Sequence, residues 1–140
     1  MSNKQAREAV FKLVYERCIS GEDNQISFEN YTQEFENSEK EFCTLVYKMT
    51  GKLGYGDFLT EQIERFSQDF KIDRIFKIDL AILLVAFFEI LYTDISCKIA
   101  ANEAVELAKK YSTEKSYKFI NGMISTVIEN KDKILQGSDV

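Results

Sequence analysis

The stretch from Asp73 to Tyr92 constrains this chain more than any other. It carries Ile75, Ile78, an unbroken apolar run of nine residues from Leu80 to Phe88, and then Ile90 and Leu91, so as a helix it is apolar around nearly its whole circumference. Such a helix must be covered on every side. A nine-residue run is far short of the roughly 20 needed to cross a bilayer, so the cover has to be other parts of the chain. A segment of this kind therefore predicts a central pillar inside a helical bundle. Glu89 is the exception on the pillar, because a carboxylate in apolar surroundings is costly unless it is partnered or sits at the rim.

The remaining sequence supplies the surrounding helices. Proline is absent from all 140 residues and glycine occurs six times, so the chain has few obligatory breaks. From Asn3 to about Ile19, Ala6, Ala9, Val10, Leu13 and Val14 share one arc, with Glu8, Lys12 and Glu16 opposite. Gly21 stops that helix. A second is expected from Ser27 to Phe35. A third is expected from about Ser38, capped by Ser38 with Glu41 and burying Phe42, Leu45, Val46 and Met49. Gly51, Gly54 and Gly56 form a candidate hinge before a fourth helix that opens at Asp57 or Thr60. After the pillar come an amphipathic helix from Ile99 to Tyr111 and a last one from Glu114 to Asn130, which buries Phe119, Ile120, Met123, Ile124, Val127 and Ile128. No alternating apolar run suggests a strand. The expected fold is all-α, a compact bundle of six to seven helices in one domain.

Composition narrows the function. An apolar share of 45% with 29% charged residues describes a globular domain. The absence of histidine removes imidazole bases, imidazole metal ligands and Ser-His or Cys-His pairs. The glycine cluster lacks phosphate-loop spacing, and Asp73 and Asp79 are off-register for a carboxylate dyad, so neither catalysis nor a cofactor nor a metal is expected. Cys18, Cys43 and Cys97 are three and far apart, which reads as reduced thiols in a cytoplasmic protein. No secretory signal or membrane span is legible.

The net charge is -5 at pH 7, so any nucleic-acid contact must be local. Seven acidic residues between Glu22 and Glu41 face a single Lys40, while residues 1–17 and 109–133 are locally basic. If the fold joins the chain's two ends, they form a modest positive patch. Lys4, Arg7, Phe11 and Tyr15 fall on one side of the first helix, a basic and aromatic combination able to meet phosphates and stack bases. The plainer reading makes Phe11 and Tyr15 core and the two charges ordinary surface. On the last helix Lys118, Asn121, Gly122 and Ser125 form a polar stripe with one position lacking a side chain, where a nucleotide or a packing helix could approach.

Two segments carry a resemblance. DRIFKIDLAILLVAFFEILY is similar to the D-R-x-x-x-V-D-R-A-I-L-R-L-A-x-Y-E pattern of the NusB family of bacterial transcription antitermination factors, at Asp73, Arg74, Asp79, Ala81, Ile82, Leu83, Ala86 and Glu89. KIAANEAVELAKKYSTEKSYKFINGMIS resembles that family's I-N-E-A-I/V-E-L-A-K and K-F-I/V-N-G motifs, at Asn102, Glu103, Ala104, Glu106 to Lys109, Lys118, Phe119, Asn121 and Gly122. With AREAVFKLVY, the likeness covers about residues 4–19 and 71–128.

The resemblance implies two small helical subdomains, about 1–70 and 71–140, and an adaptor without catalysis. Its partners would be boxA-containing RNA, the ribosomal small-subunit protein that doubles as NusE, and the RNA polymerase antitermination complex. It places RNA contacts at Lys4 and Arg7, with Lys118, Asn121 and Ser125 as further candidates, and it makes Glu89 and Tyr92 the NusE-facing choice. The departures are Ser2 and Asn3 in place of additional arginines, Leu80 and Leu84 in place of the D-R-A-I-L-R arginines, and Ser96 in place of a proline. They imply reduced RNA affinity and keep open a protein-only interaction module or homodimer. A third reading, the NusB-like domain of a ribosomal RNA methyltransferase, lacks the methyl-donor domain.

Overall fold

The structure is a computed structural model and describes residues 4–67 and 71–137. Asn3, where the pattern starts the first helix, and Ser2 lie outside the described residues. Among the described residues eight α-helices follow one another: α1 (Lys4–Ser20), α2 (Gln25–Thr32), α3 (Asn37–Met49), α4 (Gly56–Ser67), α5 (Lys77–Tyr92), α6 (Cys97–Tyr111), α7 (Glu114–Glu129) and α8 (Lys131–Leu135). A 3-10 turn at Ile72–Arg74 precedes α5. The all-helical expectation holds, with the five-residue α8 as the addition the sequence pattern missed.

The helix ends follow from local chemistry. Gly21 closes α1 in the left-handed region at φ 84°, donating its N–H to the Arg17 carbonyl at 2.8 Å. Asn24 caps α2 by accepting from the Ser27 N–H at 3.0 Å, and Thr113 caps α7 from the Ser116 N–H at 3.1 Å. The cap of α3 differs from expectation. It is Glu36 and Glu39 that pair, with the Glu36 N–H donating to Glu39 Oε1 at 3.2 Å, the same spacing as Ser38 and Glu41 but two residues earlier. The expected hinge is a closed turn instead. A Cβ on Gly54 would lie 2.5 Å from the Met49 Cα, and the N–H groups of Gly54 and Gly56 both donate to the Gly51 carbonyl at 3.0 Å. Glycine is required there by the close backbone approach.

α5 is the pillar. Every residue from Asp79 to Leu91 is buried, and α1, α3, α4, α6, α7 and α8 all pack against it. It begins at Lys77 rather than Asp73 because Ile75 and Phe76 are extended, at ψ 132° and 137°. One contiguous core runs from Ala6 through Phe87 to Ile134, joining both halves of the sequence. Leu45 is 47% exposed, so α3 turns Cys43, Val46 and Tyr47 inward in its place. Phe119 and Ile128, expected to be buried, are half-buried at the edge of the core.

Candidate nucleic-acid and partner interface

Arg7 and Glu89 were expected on two different surfaces, the first facing RNA and the second facing a protein. They face each other instead. α1 lies along α5 so that the Arg7 Nε meets Glu89 Oε1 at 2.7 Å and its Nη2 meets Oε2 at 2.8 Å, a bidentate pair. Relative exposures are 5% for Arg7 and 2% for Glu89. Glu103 of α6 adds a longer contact of 3.8 Å, and the guanidinium lies 5.4 Å from the Phe42 ring centre. Burial works against the charge on Arg7, but the hydrogen bonds and attraction of Glu89, with Glu103 behind, outweigh it and hold the guanidinium above its ordinary value. The carboxylate on the apolar helix is explained by a partner inside the molecule.

Around this pair the first basic segment meets only the start of the second, at Lys109 and Lys110. Lys4 pairs with Glu106 at 2.5 Å, and Lys110 with Glu8 at 2.9 Å, across a 340 Å³ cleft between α1 and α6. The steps 4 to 8 and 106 to 110 advance together, so the two helices run parallel. Lys4 and Lys110 are each matched by a carboxylate from the facing helix, so the positive charge across the cleft is largely neutralised. Hydrogen bonds to the lysines hold Glu106 and Glu8 below the usual carboxylate range and raise Lys4 and Lys110 in return.

Lys118, Asn121 and Ser125 are exposed on α7, and the exposed Gly122 between them has nothing within 4 Å of where a Cβ would stand. None of the three lines the α1/α6 cleft. They run on from a corner that single-sequence reasoning did not single out. Arg74, Phe76, Lys115 and Phe119 line a 310 Å³ cavity where the start of α5 meets the start of α7, and Phe76 is 62% exposed. Its α7 half was legible as Lys115 and Phe119, at helical spacing from Lys118 and Gly122. Its α5 half depends on the extended Ile75 and Phe76, which no periodicity announces.

Tyr92 is half-buried and stacks on Tyr55 with ring centres 3.9 Å apart. Burial pushes its phenol above the ordinary value, and Tyr55 adds to this. A second apolar surface lies along α1, where Phe11, Tyr15, Tyr31, Ile78 and Tyr111 line a 430 Å³ groove edged by Ile19, itself 61% exposed. Phe11 is core at 2% exposure and Tyr15 is half-buried, as the plainer reading of helix 1 has it. Glu16 lines the same groove, with Oε1 buried and without a hydrogen-bond partner. Cys43 is inert: burial raises its thiol to about 12, and its Sγ donates to the Ala6 carbonyl at 3.4 Å.

The model of the NusB family matches residues 4–129 of this chain. The chain belongs to the NusB family. A transcription antitermination protein NusB of Clostridium acetobutylicum is 37% identical over 136 residues, covering 95% of this chain and 99% of that protein. Among solved structures, NusB of T. maritima superposes with a TM-score of 0.85 at 23% identity, covering 97% of this chain and 98% of the other. A structure of antitermination factors NusB and NusE in complex with double-stranded RNA matches with a TM-score of 0.73 at 22% identity, over 90% of this chain and 95% of its counterpart. The NusB motifs read from the sequence thus fall on α1, on the 3-10 turn and α5, and on α6 and α7. Among the described residues no helix is long and apolar enough to cross a membrane.

Proposed function

We propose that this NusB-family chain is a cytoplasmic, non-catalytic adaptor of transcription antitermination, which holds boxA-type RNA together with the ribosomal small-subunit protein that doubles as NusE on RNA polymerase. Membership of the NusB family over nearly the whole chain carries the reading. The antitermination role of the Clostridium acetobutylicum relative and the NusE and RNA of the solved NusB complex supply its terms. Division into subdomains of about 1–70 and 71–140 belongs to the same proposal.

The RNA face we assign runs from the α5/α7 corner along α7. Lys115, Lys118 and Arg74 offer phosphate contacts, Phe76 and Phe119 offer rings for stacking, and Asn121 and Ser125 offer hydrogen bonds beside the bare Gly122. Lys4 adds a charge from α1, whereas Arg7 acts from behind as the anchor of that helix. For the protein partner, Tyr92 remains a candidate, and the groove of Tyr15, Ile19 and Tyr31 is the larger apolar face. The acidic side chains of Glu22, Glu29, Glu34 and Glu36, exposed on and around α2, suit a partner that is basic because it also binds ribosomal RNA.

Titration of boxA-containing RNA with this protein, alone and with NusE, at two salt concentrations tests the reading. Salt-dependent binding that tightens at least tenfold with NusE is expected, and Lys115→Ala with Lys118→Ala should flatten the salt slope by about 0.7 per lost phosphate contact. NusE binding with RNA ignored by the heterodimer would favour the second reading, a protein-only module or homodimer. The neutralised α1/α6 cleft is the observation on its side.

A further inference from the structure

α6 packs on α7 and meets α1 through side chains across the cleft. Its link to α1 is the pair of parallel contacts already described, and its link to α7 includes the Lys109 ammonium, 4.9 Å from the centre of the Tyr117 ring. An RNA strand that follows the exposed face of α7 and reaches Lys4 therefore arrives at the α1/α6 cleft, which Glu106 lines. That carboxylate is 56% exposed and holds the Lys4 ammonium, itself 60% exposed.

We infer that Glu106 is an internal stand-in for an RNA phosphate: it occupies Lys4 in the free protein, and binding requires Lys4 to exchange the Glu106 carboxylate for a phosphate oxygen. The inference rests on the RNA-binding reading. Glu8 holds Lys110 in the same way one turn further along the parallel helices, so the cleft carries two exchangeable clasps. Two features make Lys4 an exchangeable group rather than a structural one. Both partners of its clasp are wet, so the contact is weak and quickly remade. α1 stays fastened beneath it by Arg7 with Glu89 and by the buried stripe of Ala6, Val10, Leu13 and Val14, so opening the clasp leaves α1 in place. Exchange also frees a carboxylate beside the bound strand, which lowers affinity and blunts the salt dependence, since fewer cations are released in total. Glu106 thereby sets how much of the local positive charge RNA can use.

The test is a double-mutant cycle read by anisotropy with boxA-containing RNA and the NusE-bound protein at two salt concentrations. Glu106→Gln should tighten binding about two- to fivefold, as expected for release of one exposed ion pair, and steepen the salt slope by up to about 0.7. In a Lys4→Ala background the same change should have almost no effect. Glu61→Gln, which removes an exposed charge on α4, should leave affinity unchanged. Unchanged affinity of Glu106→Gln, an equal gain in the Lys4→Ala background, or an equal gain from Glu61→Gln overturns the inference. A wild-type complex that ignores RNA overturns the RNA-binding reading and the clasp with it, and this is seen before any variant is compared.

Discussion

Lys4 and Arg7 stand one turn apart on α1 and both pair with glutamates more than 80 positions away, yet the two contacts differ in kind. Arg7 and Glu89 are sealed under α1 with relative side-chain exposures of 7% and 2%, whereas the Lys4 and Glu106 side chains are 60% and 56% exposed. In water an ion pair gains little, because solvent serves each charge nearly as well as the partner does. Under the helix neither charge has another partner of comparable quality, so removing one strands the other. The lesson is that burial, rather than charge or geometry, separates the residue that fastens α1 from the one that stays in contact with water.

The comparison breaks most visibly through Glu89. Glu89→Ala should lower the unfolding free energy by about 3–5 kcal/mol, the range for removing one member of a buried pair, and Arg7→Ala should approach the same loss. Arg7→Met with Glu89→Leu should recover most of it, because an apolar pair strands no charge. Chemical denaturation of the three variants measures this, and a double variant as unstable as the single ones would mean that packing around the pair matters more than its charge.

A cysteine reports the same contrast at intermediate size. Cys43 lies against the Ala6 backbone on the buried side of α1, with its thiol raised to about 12. At neutral pH it should resist alkylation in the native protein, and it should become labelled in Glu89→Ala as α1 loosens. Peptide mapping after timed exposure to a thiol reagent gives the answer. Equal labelling of Cys43 in both proteins would place α1's attachment elsewhere than at Glu89.

The smallest effect belongs to the exposed clasps. Glu8 and Glu106 have folded values held below the ordinary carboxylate range. Their contribution is therefore complete above that range and disappears as the pH falls through the lowered folded values. Lys4 and Lys110 are raised, so theirs is complete below the ordinary ammonium value and is lost as the pH rises through the raised one. Carboxyl titration by NMR should show Glu106 moving back toward the ordinary value in Lys4→Ala and Glu8 doing so in Lys110→Ala, with the denaturation midpoint nearly unchanged in both. A large loss of stability in Lys4→Ala would erase the distinction between the two pairs.

Much of the fold was legible because helical periodicity is local. The stripe of Ala6, Val10, Leu13 and Val14 is read within one segment, and it packs as read. Boundaries slipped where two solutions of equal local quality competed, as with Glu36 and Glu39 against Ser38 and Glu41. Leu45 was misplaced because α3 could bury either of two overlapping arcs, and its neighbours chose. The candidate site was legible in part. Lys118, Asn121 and Ser125 share an exposed helical face, whereas Phe76 joins them through a break in helix periodicity. The pairing of Arg7 with Glu89 was not legible, since each was weighed on its own helix without the other.

The sequence by itself determined that this protein is helical, that the segment from Asp73 to Tyr92 holds its central helix, and that its family motifs fall on that segment and on helices that cover it. These properties depend on neighbours three or four positions apart along one chain segment. Only the tertiary structure decided which charges meet. Arg7 and Glu89 are 82 residues apart, and the same is true in kind of Lys4 with Glu106 at 102. No local period encodes the rotation of α1 against α5 and α6. That rotation is set by how all the apolar stripes close at once around α5, and it is what makes one basic residue of α1 a buried fastening and leaves the other at the surface.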